Sequence, residues 1–270
     1  MSDAPYLIKN FRIDSVGVLF HDGSTAFIDA GSIIQLEYRE GIFDKFLTVT
    51  LSIMDTTTNI SSVMVGMEEF QLVFTDVQNN IKYEFTSNSA NGPLFAYNIH
   101  SRTIIDTGRA FVVELCRKDA ILSMQKRVCK KYTNVTSDTL VKDIIGGELE
   151  STKKPVTTSK SINKVSFIPP NSRPLDVLIW ARNKFIGDTQ KTTKGGGKYT
   201  SAGFLFYETY RAYNYVPIDT ITGQKGHVAI YTTGTGTGVA QDAFRLDNPQ
   251  FKTNLDMVEN FDRGYYSGQI

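Results

Sequence analysis

The chain is poor in the residues that most often carry chemistry. Its 270 residues include two cysteines, three histidines and one tryptophan. Cys116 and Cys129 have no spacing that suggests a metal site or a redox pair, and buried free thiols are expected of both rather than a bridge. His21, His100 and His227 include no pair at zincin-type spacing, and no Cys–His set has the spacing of metal ligands. A serine or cysteine nucleophile would need a histidine brought in by the fold. Charge of one sign is also lacking: 29 basic and 28 acidic residues leave a net charge of +1. No global field therefore points to nucleic acid or to an anionic membrane. No apolar run approaches the roughly 20 residues that cross a bilayer. The start, Met1-Ser2-Asp3-Ala4-Pro5, has no basic segment leading into an apolar one. A soluble chain made in a cytoplasm, without membrane insertion, is the expectation.

What is present is alternation. Leu47, Val49, Leu51 and Ile53 alternate with Thr48, Thr50 and Ser52, a half-buried strand. Ile34, Leu36 and Tyr38 form a second set, Phe70, Leu72 and Phe74 a third, Ile81, Tyr83 and Phe85 a fourth, and Phe95, Tyr97 and Ile99 a fifth. Val18 to Phe20 and Phe27-Ile28 flank His21-Asp22-Gly23-Ser24, a hairpin signal because Asp-Gly suits the left-handed positions of a tight turn. Phe111 to Leu115 adds an apolar run. Short strands joined by turn-rich loops read as an antiparallel sandwich or barrel.

From Asp119 the period changes. Ile121, Met124, Val128 and Tyr132 fall near helical spacing, although Arg127-Val128-Cys129 fits an extended segment equally well. A further helix is capped by Thr136 or Ser137, with Leu140, Val141, Ile144 and Ile145 on its apolar face and Gly146-Gly147 as its stop. Residues 148–164 read as a loop or linker, ending in a strand at Val165 to Ile168. Pro169-Pro170 close that strand, and Ser172 caps a helix with Pro174 in its first turn. Leu175, Leu178, Ile179, Arg182 and Phe185 mark its face and Gly187 its end. A long loop over 187–199 follows. Then come a strand through Phe204, Phe206 and Tyr210, a turn at Arg211-Ala212, and a strand from Tyr213 to Val216.

Three patterns invite a chemical reading. Lys194-Gly195-Gly196-Gly197-Lys198 fails as a phosphate loop, because Thr192 holds the first glycine's place and Tyr199 the final one. Gly234, Gly236 and Gly238 lack the second spacing of a dinucleotide fingerprint, so both segments read as flexible loops. Arg117, Lys118, Lys126, Arg127, Lys130 and Lys131 face only Asp119 in sequence, a sign-biased patch without stacking aromatics beyond Tyr132. It reads as a solvated face or as the partner of an acidic surface on another subunit. No catalytic residue, cofactor or metal ligand is assigned, and no interface residue is named.

Phe167 to Ile221, an amphipathic helix, a Gly/Lys/Thr loop and an aromatic strand pair in that order, resembles the middle of the baseplate hub proteins of contractile-tailed bacteriophages. Ile34 to Glu40, Leu47 to Asp55 and Val65-Gly66-Met67-Glu68 resemble the first tube-type barrel of that family. Glu114 to Ser123, Lys126-Arg127-Val128 and Thr139 to Ile145 resemble the exit into its helical insertion. Phe251 to Gly264, with Asp256, Glu259-Asn260 and Gly264-Tyr265, resembles the approach to a second barrel. The resemblance implies a mainly β fold with a smaller α+β part. Residues 1–118 would form a tube-like antiparallel β-barrel or sandwich, 119–250 a mixed insertion with long loops, and 251–270 the start of a second barrel. Either that barrel is curtailed, or a C-terminal region is missing from the chain, or part of 200–270 already forms it.

The family role implied is mechanical. A homotrimeric hub in the virion's tail baseplate would join the tail tube protein to the central spike protein, beside neighbouring baseplate wedge proteins. DNA would touch it only in transit through the lumen. The rival from another class is a receptor- or glycan-binding β-protein using Tyr213, Asn214, Tyr215 and Tyr231 from exposed loops; a tail-associated cell-wall hydrolase is a third reading.

Overall fold

The computed structural model describes residues 11–56, 60–77, 80–105, 108–151, 154–192, 198–222, 230–232 and 243–245. The chain divides into two compact units, Met1–Gly223 and Gln224–Ile270. The first begins with β1 (Phe11–Leu19), β2 (Thr25–Phe27), β3 (Ile33–Arg39), β4 (Thr48–Asp55), a helical turn α1 (Ile60–Val63), β5 (Glu69–Asp76), β6 (Ile81–Phe85), β7 (Leu94–Ile105) and β8 (Gly108–Arg117). These eight strands form one sheet, seven of them in the order β2-β1-β5-β7-β8-β4-β3 and β6 paired to β5 off that path. β7 meets β5 only at Glu69 and Phe70, and β6 takes up β5 from Leu72 to Asp76. Every pairing is antiparallel. The fold class is thus mainly β, as the alternation implies.

Strict alternation drives the roll of this sheet. Val49, Leu51 and Ile53 of β4, Phe70, Leu72 and Phe74 of β5, and Phe111, Val113 and Leu115 of β8 are all buried in one core. Removing that much apolar surface from water is the main stabilising term. The flanks curl until Tyr38 of β3 lies 5.1 Å from the Tyr83 ring of β6 and 5.8 Å from Phe74. Among the described residues β3 and β6 share no ladder, so side chains close this seam. The expected hairpin joins β1 to β2, with Gly23 at φ +83° and Phe20 N–H donating to Ser24 O at 2.9 Å.

Two bulges overturn the face assignments made from alternation. In β3 the register shifts between Ile33 and Gln35, so Ile34 turns outward at 62% exposure while Ile33, Leu36 and Tyr38 pack on the core. In β7 the shift lies between Ala96 and Asn98. Leu94 and Ala96 fill the barrel, whereas Phe95 and Tyr97 point the other way, onto Cys116, Ala120 and Ile121. Past the bulge Ile99 rejoins the barrel core. An extra residue moves all that follow to the opposite face.

The second layer follows as α2 (Lys118–Gln125), β9 (Tyr132–Val135), α3 (Ser137–Lys142), β10 (Val156–Thr158), β11 (Val165–Phe167), α4 (Pro174–Ala181), β12 (Ile186–Thr192), β13 (Lys198–Ala202), β14 (Phe204–Glu208), β15 (Tyr213–Pro217) and α5 (Ile218–Thr222). Its own core gathers Leu140, Val141, Ile144 and Ile145, Leu175 and Leu178 of α4, Phe185, and Phe204, Tyr213 and Tyr215 of the β14–β15 hairpin. Gly146-Gly147 do not stop α3. The chain runs on as a π turn over Asp143–Glu148, wider than an α turn, with Ile144 and Ile145 both buried. The segment after Gln125 is extended, and Val128 bridges Ser172. That bridge holds Ser172 away from the cap position of α4. Arg173 is the N-cap, and the Leu175 N–H is satisfied by Ser123 Oγ of α2 at 3.1 Å. α4 ends at Ala181 in a tighter 3-10 turn, Arg182–Lys184, well before Gly187. The expected linker over 148–164 supplies β10, a parallel neighbour of β15. The expected loop over 187–199 supplies the paired arms β12 and β13.

In the second unit β16 (Ile230–Thr232) and β17 (Ala243–Arg245) pair in parallel. Gly195 to Gly197, Gly234 to Gly238, His227 and the segment 251–270 lie outside the described residues.

The bulge in β3 makes a prediction. Ile34→Thr should change stability by less than about 0.5 kcal/mol, as for an exposed site. Leu51→Ala, in the same sheet and fully buried, should cost about 2–5 kcal/mol. Urea unfolding of both variants measures the difference.

Candidate functional site

Two features lock the barrel to the second layer, and the first is a set of buried charges. Arg117 ends β8, Asp119 lies in the first turn of α2, Lys154 precedes β10 and Glu208 ends β14. The side chains of Lys154 and Glu208 are 0% exposed, and those of Arg117 and Asp119 5% and 9%. Lys154 Nζ donates to Glu208 Oε1 at 2.8 Å, and Leu47 N–H, just before β4, donates to Glu208 Oε2 at 3.0 Å. Arg117 Nη2 donates to Asp119 Oδ2 at 3.1 Å, and its Nε stands 3.5 Å from Glu208 Oε1. Ser151 Oγ and Tyr213 Oη also donate to Asp119 Oδ2, at 2.7 and 2.9 Å. The Tyr213 ring lies 5.4 Å from Lys154 Nζ and 5.8 Å from the Arg117 guanidinium carbon.

Burial sets the electrostatics here. Desolvation pushes the Glu208 carboxyl above its usual range and Lys154 below its own, each opposed by the charge of the other. Burial also raises the Tyr213 hydroxyl well above the ordinary tyrosine value, with the charges of Glu208 and Asp119 adding to it. Such a cluster holds parts together only while every member keeps its partner. Cys116, the residue before Arg117, is buried, and burial together with the Glu208 charge pushes its thiol up, which disfavours the thiolate.

The second feature is the tip of the β14–β15 hairpin, which sits at the seam between β3 and β6. Tyr210 N–H donates to Glu40 Oε2 at 2.7 Å, an oxygen that also accepts from Tyr38 Oη at 2.6 Å. Tyr210 Oη accepts the Glu84 N–H of β6 at 2.9 Å. Its ring meets Tyr83 at 4.8 Å and Phe85 at 5.5 Å, both edge-on. One side chain from the second layer thus occupies the line that the sheet leaves without a ladder.

The sequence candidates fall elsewhere or change role. Of the basic cluster, Arg117 is buried in the network, Lys126 donates to Glu148 O and pairs with Glu150, and Lys130 pairs with Asp143 and Glu148. Lys118, Arg127 and Lys131 remain exposed. Cys129 is exposed, against the expectation that both thiols are buried, because it faces outward from the extended segment; both thiols are free. Tyr213 and Tyr215 are 1% and 0% exposed, and Asn214 Nδ2 is bonded to Thr209 and Ala212 within the hairpin turn. The two tyrosines are core residues and Asn214 is half-buried, so they are not a displayed aromatic cluster. The Tyr231 side chain lies outside the described residues.

His21 Nε2 lies 2.8 Å from Gly66 O at an exposed turn. Glu68 is buried there as the acceptor of the Val65 and Gly66 N–H groups. His100 lies between Ser101 Oγ at 3.0 Å and Glu114 Oε1 at 3.4 Å, the latter a half-exposed cross-strand contact from β7 to β8. The residues that matter most escaped sequence reasoning. Glu208, a lone carboxylate inside the aromatic run Phe204 to Tyr213, carried a signal. Lys154 and Tyr210 did not.

No protein-family model matches the chain, and no curated protein matches it in sequence. Solved structures do resemble it in part. The 43 kDa tail protein of prophage MuSo2 from Shewanella oneidensis aligns at TM-score 0.48 and 6% identity, over 82% of this chain and 56% of its own. Prophage tail protein gp18 from Listeria monocytogenes aligns at 0.48 and 10%, over 81% and 55%. An E. coli component of the type VI secretion system, itself similar to T4 bacteriophage tail proteins gp27 and gp5, aligns at 0.42 and 10%, over 83% and 50%. The chain spans about half the length of these structures. At TM-scores below 0.5 they decide neither its family nor its role.

The network predicts a marked asymmetry between variants. Lys154→Met alone removes the cation hydrogen-bonded to Glu208, leaving it only Leu47 N–H and the more distant Arg117 Nε, and should cost about 3–5 kcal/mol in urea unfolding. Adding Glu208→Gln, which keeps an acceptor for Leu47 N–H, should recover part of that loss. At the seam, Tyr210→Phe leaves the Glu84 N–H unpaired and should cost about 1 kcal/mol. Hydrogen exchange should then quicken first at the Glu84 amide; uniform acceleration over all eight strands would refute the seam assignment.

Proposed function

We propose that the chain is a structural subunit of a phage tail baseplate. It would form a homotrimeric hub that joins the tail tube protein to the central spike protein and leaves a channel for DNA. The observation that carries this reading is the burial of the aromatic hairpin. A receptor binder would hold Tyr213 and Tyr215 out at a tip. Here both are inside the core, and the hairpin that bears them is spent on fixing one layer to another through Glu208 and Tyr210. A hub must carry force between tube and spike without its layers shearing. A buried charge set and a ring-filled seam serve that purpose, because neither has a half-broken state of low energy.

The resemblance of Phe167 to Ile221 to hub proteins supports the same reading. The hairpin at its centre is the part of the second layer that grips the barrel. In this reading chemistry is absent from the role. Neighbouring wedge proteins would contact the outside, and DNA would pass without being held, in keeping with a net charge of +1. The place of action would be the virion's tail baseplate.

Native mass spectrometry of the purified chain, alone and mixed with the tube and spike proteins of the same particle, tests the proposal. The expected species is a trimer that captures the spike. A stable monomer that ignores both partners would sink the hub role and return the chain to the binding proteins.

A further inference from the structure

One lysine–carboxylate pair differs from the rest. Among the described residues, the lysines paired with Asp176, Glu84, Glu150 and Asp143 keep 36–59% of their side chains in water. The side chains of Lys154 and Glu208 are 0% exposed and meet at 2.8 Å. The two residues flank Tyr213 of β15. Glu208 is its register partner on one side, and on the other its N–H donates to Pro155 O, next to Lys154. The buried Tyr213 ring lies 5.4 Å from Lys154 Nζ. An amine and a carboxyl group are thus held in contact out of solvent, the arrangement from which an amide can form by loss of water.

We infer that Lys154 and Glu208 condense in the folded chain to an isopeptide bond that ties the segment before β10 to the end of β14. The proton of the ion pair passes from Nζ to Oε1, the oxygen to which Nζ already donates. Neutral Nζ then attacks Cδ. A nitrogen at hydrogen-bond distance from one carboxyl oxygen lies about 3.5 Å from the carbon, a near-attack separation. Charge developing on Oε2 is met by Leu47 N–H, 3.0 Å away. The Cδ–Oε1 bond breaks as Oε1 takes a second proton from Nζ and leaves as water. Arg117 Nε stands 3.5 Å from that leaving oxygen and has no hydrogen-bond partner among the described residues. An ammonium and a carboxylate give a neutral amide and one water, and no outside reactant enters.

Burial drives the reaction forward. It pushes the Glu208 carboxyl up and the Lys154 amine down, so each is moved toward the neutral form that the attack requires. The product removes two charges from a site where their desolvation is costly. It leaves Arg117 paired with Asp119 at 3.1 Å and keeps an acceptor for Leu47 N–H. None of this depends on the hub reading, since every residue involved belongs to the junction.

The test is the intact mass of the purified full-length chain in denaturing solvent, followed by a protease digest. The expected mass falls short of the sequence by one water, and the digest should contain a branched peptide joining Lys154 to Glu208. Lys154→Arg keeps the cation but lacks the reacting amine, and should restore the full mass. A wild-type chain at full sequence mass would overturn the inference and leave the pair an ion pair. A deficit that persists in Lys154→Arg would also overturn it, and would assign the lost water to another place such as a succinimide at Asp22-Gly23. The wild-type digest decides the matter even where the variant folds poorly, because the branched peptide is either present or absent.

Discussion

The structure depends on one carboxylate placed where no water reaches it. Glu208 ends a strand of the second layer, yet it accepts from the backbone of Leu47 at the threshold of β4 and from Lys154 on the far side of the hairpin. Three segments far apart in sequence are thereby held at one point. Arg117 and Asp119 extend the set across the last residues of β8 and the first turn of α2. A charge buried this deeply is tolerated only because each donor is in place, so the cluster dictates geometry more than it adds stability. Moving the hairpin by the length of one bond would strand a charge in the core. That is the physical reason the barrel and the second layer belong to one compact unit.

The seam depends on the same hairpin. A sheet that rolls without closing its ladder has two edges, and such edges invite pairing with other chains. Here Tyr38, Tyr83 and Phe85 fill the line between β3 and β6, and Tyr210 covers them and takes up the Glu84 amide. Glu208 sets the position of β14, and Tyr210, two residues on, then falls at the seam without further adjustment. One hairpin answers two different requirements, the burial of its own aromatics and the closure of a neighbour's edge.

Core and junction divide the work. The first fills the curled sheet with apolar side chains, and the second ties the two layers together through Glu208 and Tyr210.

Period-two alternation determined by itself that the first part is an antiparallel β structure, because strands with one buried face leave that trace whatever they pack against. The Asp22-Gly23 turn and the helical stripe from Leu175 to Leu178 were legible for the same local reason. Bulges were not. Whether Ile34 or Ile33 faces the core turns on one extra residue in a ladder, and nothing local to β3 records it. The stops at Gly147 and Gly187 were misplaced because packing of Ile144, Ile145 and Phe185 overrides the weak preferences of glycine. The junction was the least visible of all. Lys154 lies in a stretch that reads as linker and Tyr210 in one that reads as strand. Each gains its role from a partner more than 50 residues away. Hydrophobic periodicity is a property of neighbours in the chain and can be read there. The pairing of buried charges is a property of neighbours in space, and only the tertiary structure decides it.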